Sequence, residues 1–379
     1  MSWIKRTFIL NLIIFLFFTL LSVKVFDLAL GFIGSSDHLE NQTKHGQRSL
    51  SLKEHPPNNN IILIPSDVYM SGTQNLTKKE FVFRTDKDGF IVGPRNDKLN
   101  DTVSIIFFGG STTECLYVEE ELRFPHLVSQ NLNVRVLNGG VSGNHSMHSL
   151  LSMIGKGIPY KPSHIVLMHA INDLSLISKS LSYWNAPQSR SLVQTNSTTT
   201  NKFTAYGAVR LVKDLMIPNT WIRVRHKFSN TLERVAPQDE FTDYRDKKYE
   251  VSEVEKAMVV EFTASLKSFV ALSKIWGIEP VLMTQFNRFK IHDEFSRAGY
   301  EKKPQPISYN DFIRLYEKAN EIVRAVAKQE KVFLIDLEAE IPSTNEYIYD
   351  EVHLNTNGSK LVAEKITAAF KTHYSSVYR

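Results

Sequence analysis

The 379-residue chain has one cysteine, Cys115. That count excludes a disulfide framework and any zinc site built from clustered thiolates. A strong charge of one sign is also missing: 45 Lys and Arg against 40 Asp and Glu leave a net charge of only +5. The basic residues are dispersed as well, so no nucleic-acid surface is expected. No internal repeat and no P-loop occur, and nothing in the chain calls for a cofactor or a metal ion.

Long apolar runs are scarce, and the one that stands out is Thr7–Val23, about 17 residues interrupted only by Asn11, Thr19 and Ser22. At ~1.5 Å per residue it reaches about 25 Å, and Lys24 snorkelling beyond it, with Val25 and Phe26, extends the apolar length. A cleaved signal peptide would end in an Ala-x-Ala-like site after a shorter run, and nothing between Leu20 and Gly34 fits that pattern. An uncleaved anchor in the inner membrane is the favoured reading, with Lys5 and Arg6 cytoplasmic and the remainder extracytoplasmic.

The organisation that follows is a stub and transmembrane anchor over 1–34, a tether over 35–60 and a domain over 61–379. The tether is polar and holds Pro56-Pro57 and three consecutive asparagines, too little apolar residue to build a core. Roughly 80 residues separate Asn172 from a helix beginning near Val251, more than such connections need, which marks an insertion at about 178–250. Within it Phe203–Phe228 mixes Leu211, Leu215 and Trp221 with Arg210, Lys213 and Arg223, and Pro218 divides it into two helical pieces. A lid, a face lying on anionic membrane and extra packing on the domain all suit that pattern.

Five short apolar runs, Val103–Phe108, Val134–Leu137, Ile165–Met168, Val281–Thr284 and Val332–Ile335, read as strands with helices between them. The helical spacing is clearest in Val251–Trp276 and Tyr309–Glu330. The expectation is an α/β fold, a flavodoxin-like doubly wound parallel sheet with helices on both faces.

Chemistry-bearing residues fall after these strands. Ser111 follows the first in Gly109-Gly110-Ser111-Thr112, Gly143 the second in Asn138-Gly139-Gly140-Val141-Ser142-Gly143, and Asn172 the third. Asp350-Glu351-Val352-His353 follows the last. Ligands of open parallel sheets bind at the carboxyl ends of the strands, so the four segments converge. Acyl transfer at neutral pH needs a hydroxyl nucleophile, an imidazole to take its proton and a carboxylate to fix the imidazole tautomer. Ser111, His353 and Asp350 supply them. Asp and His only three residues apart, and Thr113 where G-x-S-x-G has its last glycine, argue against an α/β-hydrolase.

These four blocks resemble those of the SGNH, or GDSL-type, hydrolase superfamily, over roughly residues 100–370. Many members carry Asp before the nucleophile. Gly110 at that position points to the membrane-anchored Gly-Gly-Ser-Thr subset, associated with surface carbohydrates in bacteria. The resemblance implies an oxyanion hole of Ser111 N–H, Gly143 N–H and the Asn172 amide. Phe83–Phe90 is similar to the strand–turn–strand leader of that subset and also fits a plain Asp-Gly turn.

Cys115, four residues past the serine, is expected to be a buried core thiol. Gln285 and Arg288, just beyond the fourth strand, are placed as substrate contacts or as solvated loop residues. The resulting expectation is an extracytoplasmic serine esterase that removes small O-acyl groups, acetyl above all, from an acylated carbohydrate. An O-acetyltransferase using the same triad and a non-catalytic glycan-binding scaffold are the alternatives.

Overall fold

The computed structural model describes residues 2–33, 48–50, 52–94, 102–185, 192–195, 248–289, 293–302 and 305–378. The chain divides into two compact units, one of residues 1–49 with 194–237 and the other of residues 50–193 with 238–379. In the first unit Ser2–Ile33 forms one helix. Phe15, Phe17 and Phe18 on it are 67%, 60% and 59% exposed. Among the described residues no helix is long and apolar enough to cross a membrane. The side chains of residues 1–11, 13 and 29–33 lie outside that description, and with them the first part of the predicted anchor. The amphipathic segment Phe203–Phe228 lies outside the described residues altogether.

Among the described residues ten strands are numbered in chain order: β1 (Arg48–Leu50), β2 (Asn60–Leu63), β3 (Phe81–Thr85), β4 (Ile91–Val92), β5 (Val103–Gly109), β6 (Arg135–Gly140), β7 (His164–Met168), β8 (Val193–Thr195), β9 (Glu279–Met283) and β10 (Phe333–Ile335). β1 and β8 form a separate two-stranded sheet. The others make one sheet in the order β10-β9-β7-β5-β6-β4-β3-β2. Its β10-β9-β7-β5-β6 part is parallel throughout. Taken in chain order those five strands run 2-1-3-4-5, the flavodoxin-like order, as expected.

The sheet is nevertheless mixed and not purely parallel. β4, β3 and β2 continue it antiparallel beyond β6. The segment Phe83–Phe90 is a strand and turn leading into β4, with Asp86 Oδ1 accepting from the Asp88 and Phe90 amides and Gly89 at φ +76°. These strands cover the edge of β6, which would otherwise present unpaired backbone groups.

β5 shows why the central runs are apolar on both of their faces. Its residues alternate between two layers: Ile105 and Phe107 join one buried cluster, Ile106 and Phe108 the other. Helices Ser146–Ser152, Ile171–Ser180, Thr263–Ile275 and Tyr309–Glu330 pack on the Phe108 side. Helices Phe124–Leu132 and Thr356–His373 pack on the Phe107 side. Helix Tyr309–Glu330 shows the underlying pattern: Phe312, Tyr316, Ala319, Val323 and Val326 recur at three or four residues and are all buried. Ser308 accepts from the Asp311 amide at its start, and Lys331 in the left-handed region ends it.

Residues 52–60, read from composition as part of the tether, instead pack on the domain. The Asn58 amide donates to Asp86 O at 2.7 Å, and Thr85 Oγ1 donates to Pro56 O at 2.6 Å. Main-chain groups of Pro56, Asn58 and Asn59, in a stretch that looks tether-like in sequence, are here paired with Thr85 of β3 and with its turn.

Candidate active site

Ser111 stands one residue beyond the residue that follows β5. Gly110 is extended, at φ −90° and ψ −152°, and Ser111–Glu114 makes a single helical turn that Cys115 closes in the left-handed region at φ +53°. A Cβ on Gly110 would lie 2.4 Å from Asn172 Nδ2 and 3.2 Å from Asn144 O. A side chain at position 110 would displace the Asn172 amide. The Asn172 amide occupies that space directly beside the serine.

The second segment is a tight loop. Ile348 and Leu354 bridge its base, and the Tyr349 amide donates to His353 O at 2.8 Å. Inside it Asp350 Oδ1 accepts from the Val352 and His353 amides at 2.9 and 2.7 Å, which aims Oδ2 at the imidazole. His353 Nδ1 lies 2.6 Å from Asp350 Oδ2, and His353 Nε2 lies 2.7 Å from Ser111 Oγ. A carboxylate only accepts, so Nδ1 carries the proton and the Nε2 lone pair faces the serine hydroxyl. Ser111 and His353, 242 residues apart, are thus in hydrogen-bond contact.

Electrostatics follow from this geometry. Burial pushes the Asp350 carboxyl up, but the His353 ring and the two amides outweigh it and hold the group below the ordinary carboxylate value. For His353 burial disfavours the charged form, yet Asp350, reinforced by Glu351 and Glu114, raises it above the ordinary imidazole value. Glu351 is itself pushed up to about 7, first by burial and then by the charge of Asp350. Tyr349 stacks on the His353 ring at 5.7 Å and 17°, and its hydroxyl meets that of Tyr69 at 2.8 Å.

Gly143 lies on the loop after β6, and Asn172 at the start of the helix after β7. Gly143 adopts φ +78°, a conformation that strains any side chain. Asn172 Nδ2 donates to Asn144 O at 2.8 Å. An amide nitrogen has two hydrogens, so this bond fixes the amide plane while the second hydrogen remains for a ligand beside Gly110 and Ser111. The next residue, Asp173, is buried and accepts from Ser146 N at 3.0 Å, from Ser146 Oγ at 2.5 Å and from the Tyr183 hydroxyl at 2.5 Å. Burial still pushes it up to about 6. It ties the start of helix Ile171–Ser180 to the loop that carries Gly143.

Two predicted substrate contacts are corrected. Gln285 is 2% exposed and is engaged internally: its Oε1 accepts from the Ile171 amide and its Nε2 donates to Thr112 Oγ1, both at 2.8 Å. It braces the segments carrying Ser111 and Asn172 instead of facing a ligand. Arg288 is 5% exposed, donating to Ile348 O at 3.2 Å and to Gln74 Oε1 at 2.9 Å and pairing with Asp293 at 3.3 Å. Both residues lie at the strand ends as expected, but the loops above β9 bury them. Cys115 is buried as expected, and burial pushes its thiol up to about 12, so it is not a nucleophile at neutral pH.

Composition gave no hint of Glu114 or His55. Glu114 is 2% exposed, accepts from Ser142 Oγ and lies 2.9 Å from His55 Nε2. One helical turn past Ser111, a glutamate gives no local signal of burial, and its partners come from two distant segments. Among the described residues no group of three or more His, Cys, Asp or Glu is arranged to hold a metal ion.

No protein-family model matches the chain, and no curated protein matches it. Among solved structures it is similar to a lipase/acylhydrolase from Enterococcus faecalis, at 14% identity and TM-score 0.40, over 72% of this chain and 96% of that one. It is similar to a GDSL-like lipase from Bacteroides thetaiotaomicron, at 14% identity and TM-score 0.39, over 73% of this chain and 89% of that one. A third is an acetylxylan esterase from Geobacillus stearothermophilus, at 17% identity and TM-score 0.39, over 72% of this chain and 95% of that one.

Proposed function

We propose that the chain is a serine ester hydrolase of the SGNH type, acting on small O-acyl groups, acetyl above all, of a surface or exported glycan. The observation that carries the reading is the continuous line from Asp350 through His353 to Ser111, with contacts of 2.6 and 2.7 Å. His353 Nε2 takes the hydroxyl proton as Ser111 Oγ attacks the acyl carbonyl. The Ser111 and Gly143 amides and Asn172 Nδ2 hold the oxyanion. His353 then returns the proton to the departing sugar hydroxyl, and water, activated by the same nitrogen, releases the acid. Asn172 Nδ2 and the Asn144 carbonyl lie around Gly110, next to Ser111, and Tyr349 stacks on His353; such polar and aromatic groups suit a short acyl group on a hydroxylated carrier better than a long acyl chain.

The test is to incubate the full-length chain with an activated acetyl ester, with and without an oligosaccharide acceptor, and to follow free acetate and acetylated sugar. Free acetate, unchanged by the acceptor, is expected. Acetate replaced by acetylated sugar makes the protein an acetyltransferase using the same groups. Absence of turnover on both routes makes it a binding scaffold.

A single-pass anchor is part of the same proposal, supported by the apolar run Thr7–Val23 and by Lys5-Arg6 before it. A periplasm-active reporter fused after Arg379 is therefore expected to work, and a reporter active only in the cytoplasm to stay silent. A mature protein whose N-terminus lies beyond Leu20 would show a cleaved signal peptide instead.

A further inference from the structure

The residues that lead from the N-terminal segment into the domain contact, one after another, the segments around Gly143. The Lys53 carbonyl accepts from Asn144 Nδ2 at 3.1 Å. Glu54 Oε1 accepts from Ser152 Oγ at 3.1 Å and pairs with Lys156 Nζ at 3.4 Å. His55 Nε2 lies 2.9 Å from Glu114 Oε1, and the other oxygen of Glu114 accepts from Ser142 Oγ. Ser142 and Asn144 flank Gly143 on either side, and the Asn144 carbonyl is what holds the Asn172 amide at 2.8 Å.

We propose that Lys53, Glu54 and His55 form a strap that sets the position of the oxyanion loop, with His55 as its positioning residue acting through Glu114 and Ser142. This rests on the reading of Ser111 as an ester-cleaving nucleophile. Behind the strap, Pro56 O and the Asn59 amide are bonded to Thr85 Oγ1 at 2.6 and 2.9 Å, so its far end is fixed to β3. The His55 ring lies against Phe83 at 4.8 Å, which limits its rotation. The strap therefore has a rigid base on one side and the oxyanion loop on the other. Glu114 is buried with the His55 ring packed 2.9 Å from one of its oxygens, so without His55 that space opens and the Ser142 contact becomes free to shift. A donor displaced by about 1 Å from a developing oxyanion costs up to about 10²-fold in rate, whereas binding of the uncharged ester hardly changes.

The experiment compares full-length wild type, His55→Ala, His55→Gln and Ser142→Ala by hydrogen exchange of the segment 141–145 and by turnover of a small activated acetyl ester. His55→Ala is expected to speed exchange in 141–145 while leaving β5 protected. It is expected to lower kcat about tenfold with KM within about twofold. His55→Gln, which keeps a nitrogen donor near Glu114, restores most of both. Should His55→Ala fail to fold, Ser142→Ala cuts the same link at its other end and is expected to give the same two changes. Unchanged exchange in 141–145 overturns the strap, and faster exchange with unchanged kcat overturns its role in positioning. If the wild type neither turns over ester nor reacts at Ser111 with a serine-directed phosphonate, the esterase reading fails, and the exchange comparison alone then decides whether the strap holds the loop.

Discussion

Ser111→Ala is expected to lower turnover of a small activated ester at least about 10³-fold while the cooperative thermal transition stays in place. The hydroxyl is the only oxygen within reach of His353 Nε2, at 2.7 Å, among the described residues. Removing it abolishes the acyl-enzyme route and leaves only the weak catalysis that oxyanion donors and binding provide. Its structural cost is small, since the half-buried hydroxyl bonds to no main-chain group that the turn Ser111–Glu114 depends on. A phosphonate that labels wild type at Ser111, followed by mass spectrometry of the modified peptide, should leave the alanine variant unmodified. Near-wild-type turnover in that variant would refute the nucleophile assignment.

Asp350→Asn is expected to cost about 10³–10⁴-fold, because an amide facing Nδ1 supplies no negative charge and can select the wrong imidazole tautomer. The pH profile provides the second readout. In wild type the base must be neutral, and Asp350 raises the pKa of His353, so kcat/KM should climb with pH through a midpoint above the ordinary imidazole value of about 6.5. Asp350→Asn removes the main group that favours imidazolium. Its residual activity should therefore rise at lower pH than that of wild type while staying below it at every pH. Profiles from about pH 5 to 9 decide the matter, and a wild-type rate flat across that range would contradict His353 as the base.

The clearest sequence signals were those of local origin. Val103–Phe108 is apolar at every position but Ser104 because β5 is buried on both faces, and Tyr309–Glu330 keeps helical spacing for its full length. Both patterns come from an element's own repeat and from which of its faces are buried, and a sequence records them whichever segments do the burying. Gln285 and Arg288 show the limit: proximity to a strand end was legible, but the direction of their side chains was not. Gln285 turned to Thr112 and Ile171, and Arg288 to Ile348, Gln74 and Asp293, all partners on other segments. Residues 52–60 failed for a related reason. A polar composition describes a tether only if its main chain is free, and here the main chain of 56–59 is bonded to β3 and its turn.

The sequence by itself determined the chemistry available: one serine after Gly-Gly at a strand end, an Asp and a His three residues apart, and a glycine and an asparagine after two further strands. Residue type and spacing suffice there because each group sits at the end of an element whose periodicity is local. Which of these groups touch was decided only by strand order. β5 lies between β6 and β7, which brings Gly143 and Asn172 beside Ser111. β10, by contrast, is three places from β5, about 14 Å at ~4.8 Å per strand, so the loop carrying Asp350 and His353 has to reach back across β9 and β7. That reach, the room for the Asn172 amide beside Gly110, and the contact of His55 with Glu114 all depend on segments distant in sequence meeting in space. No local propensity encodes such meetings; they arise when the sheet closes its hydrophobic layers and its loops find hydrogen-bond partners for their buried polar groups.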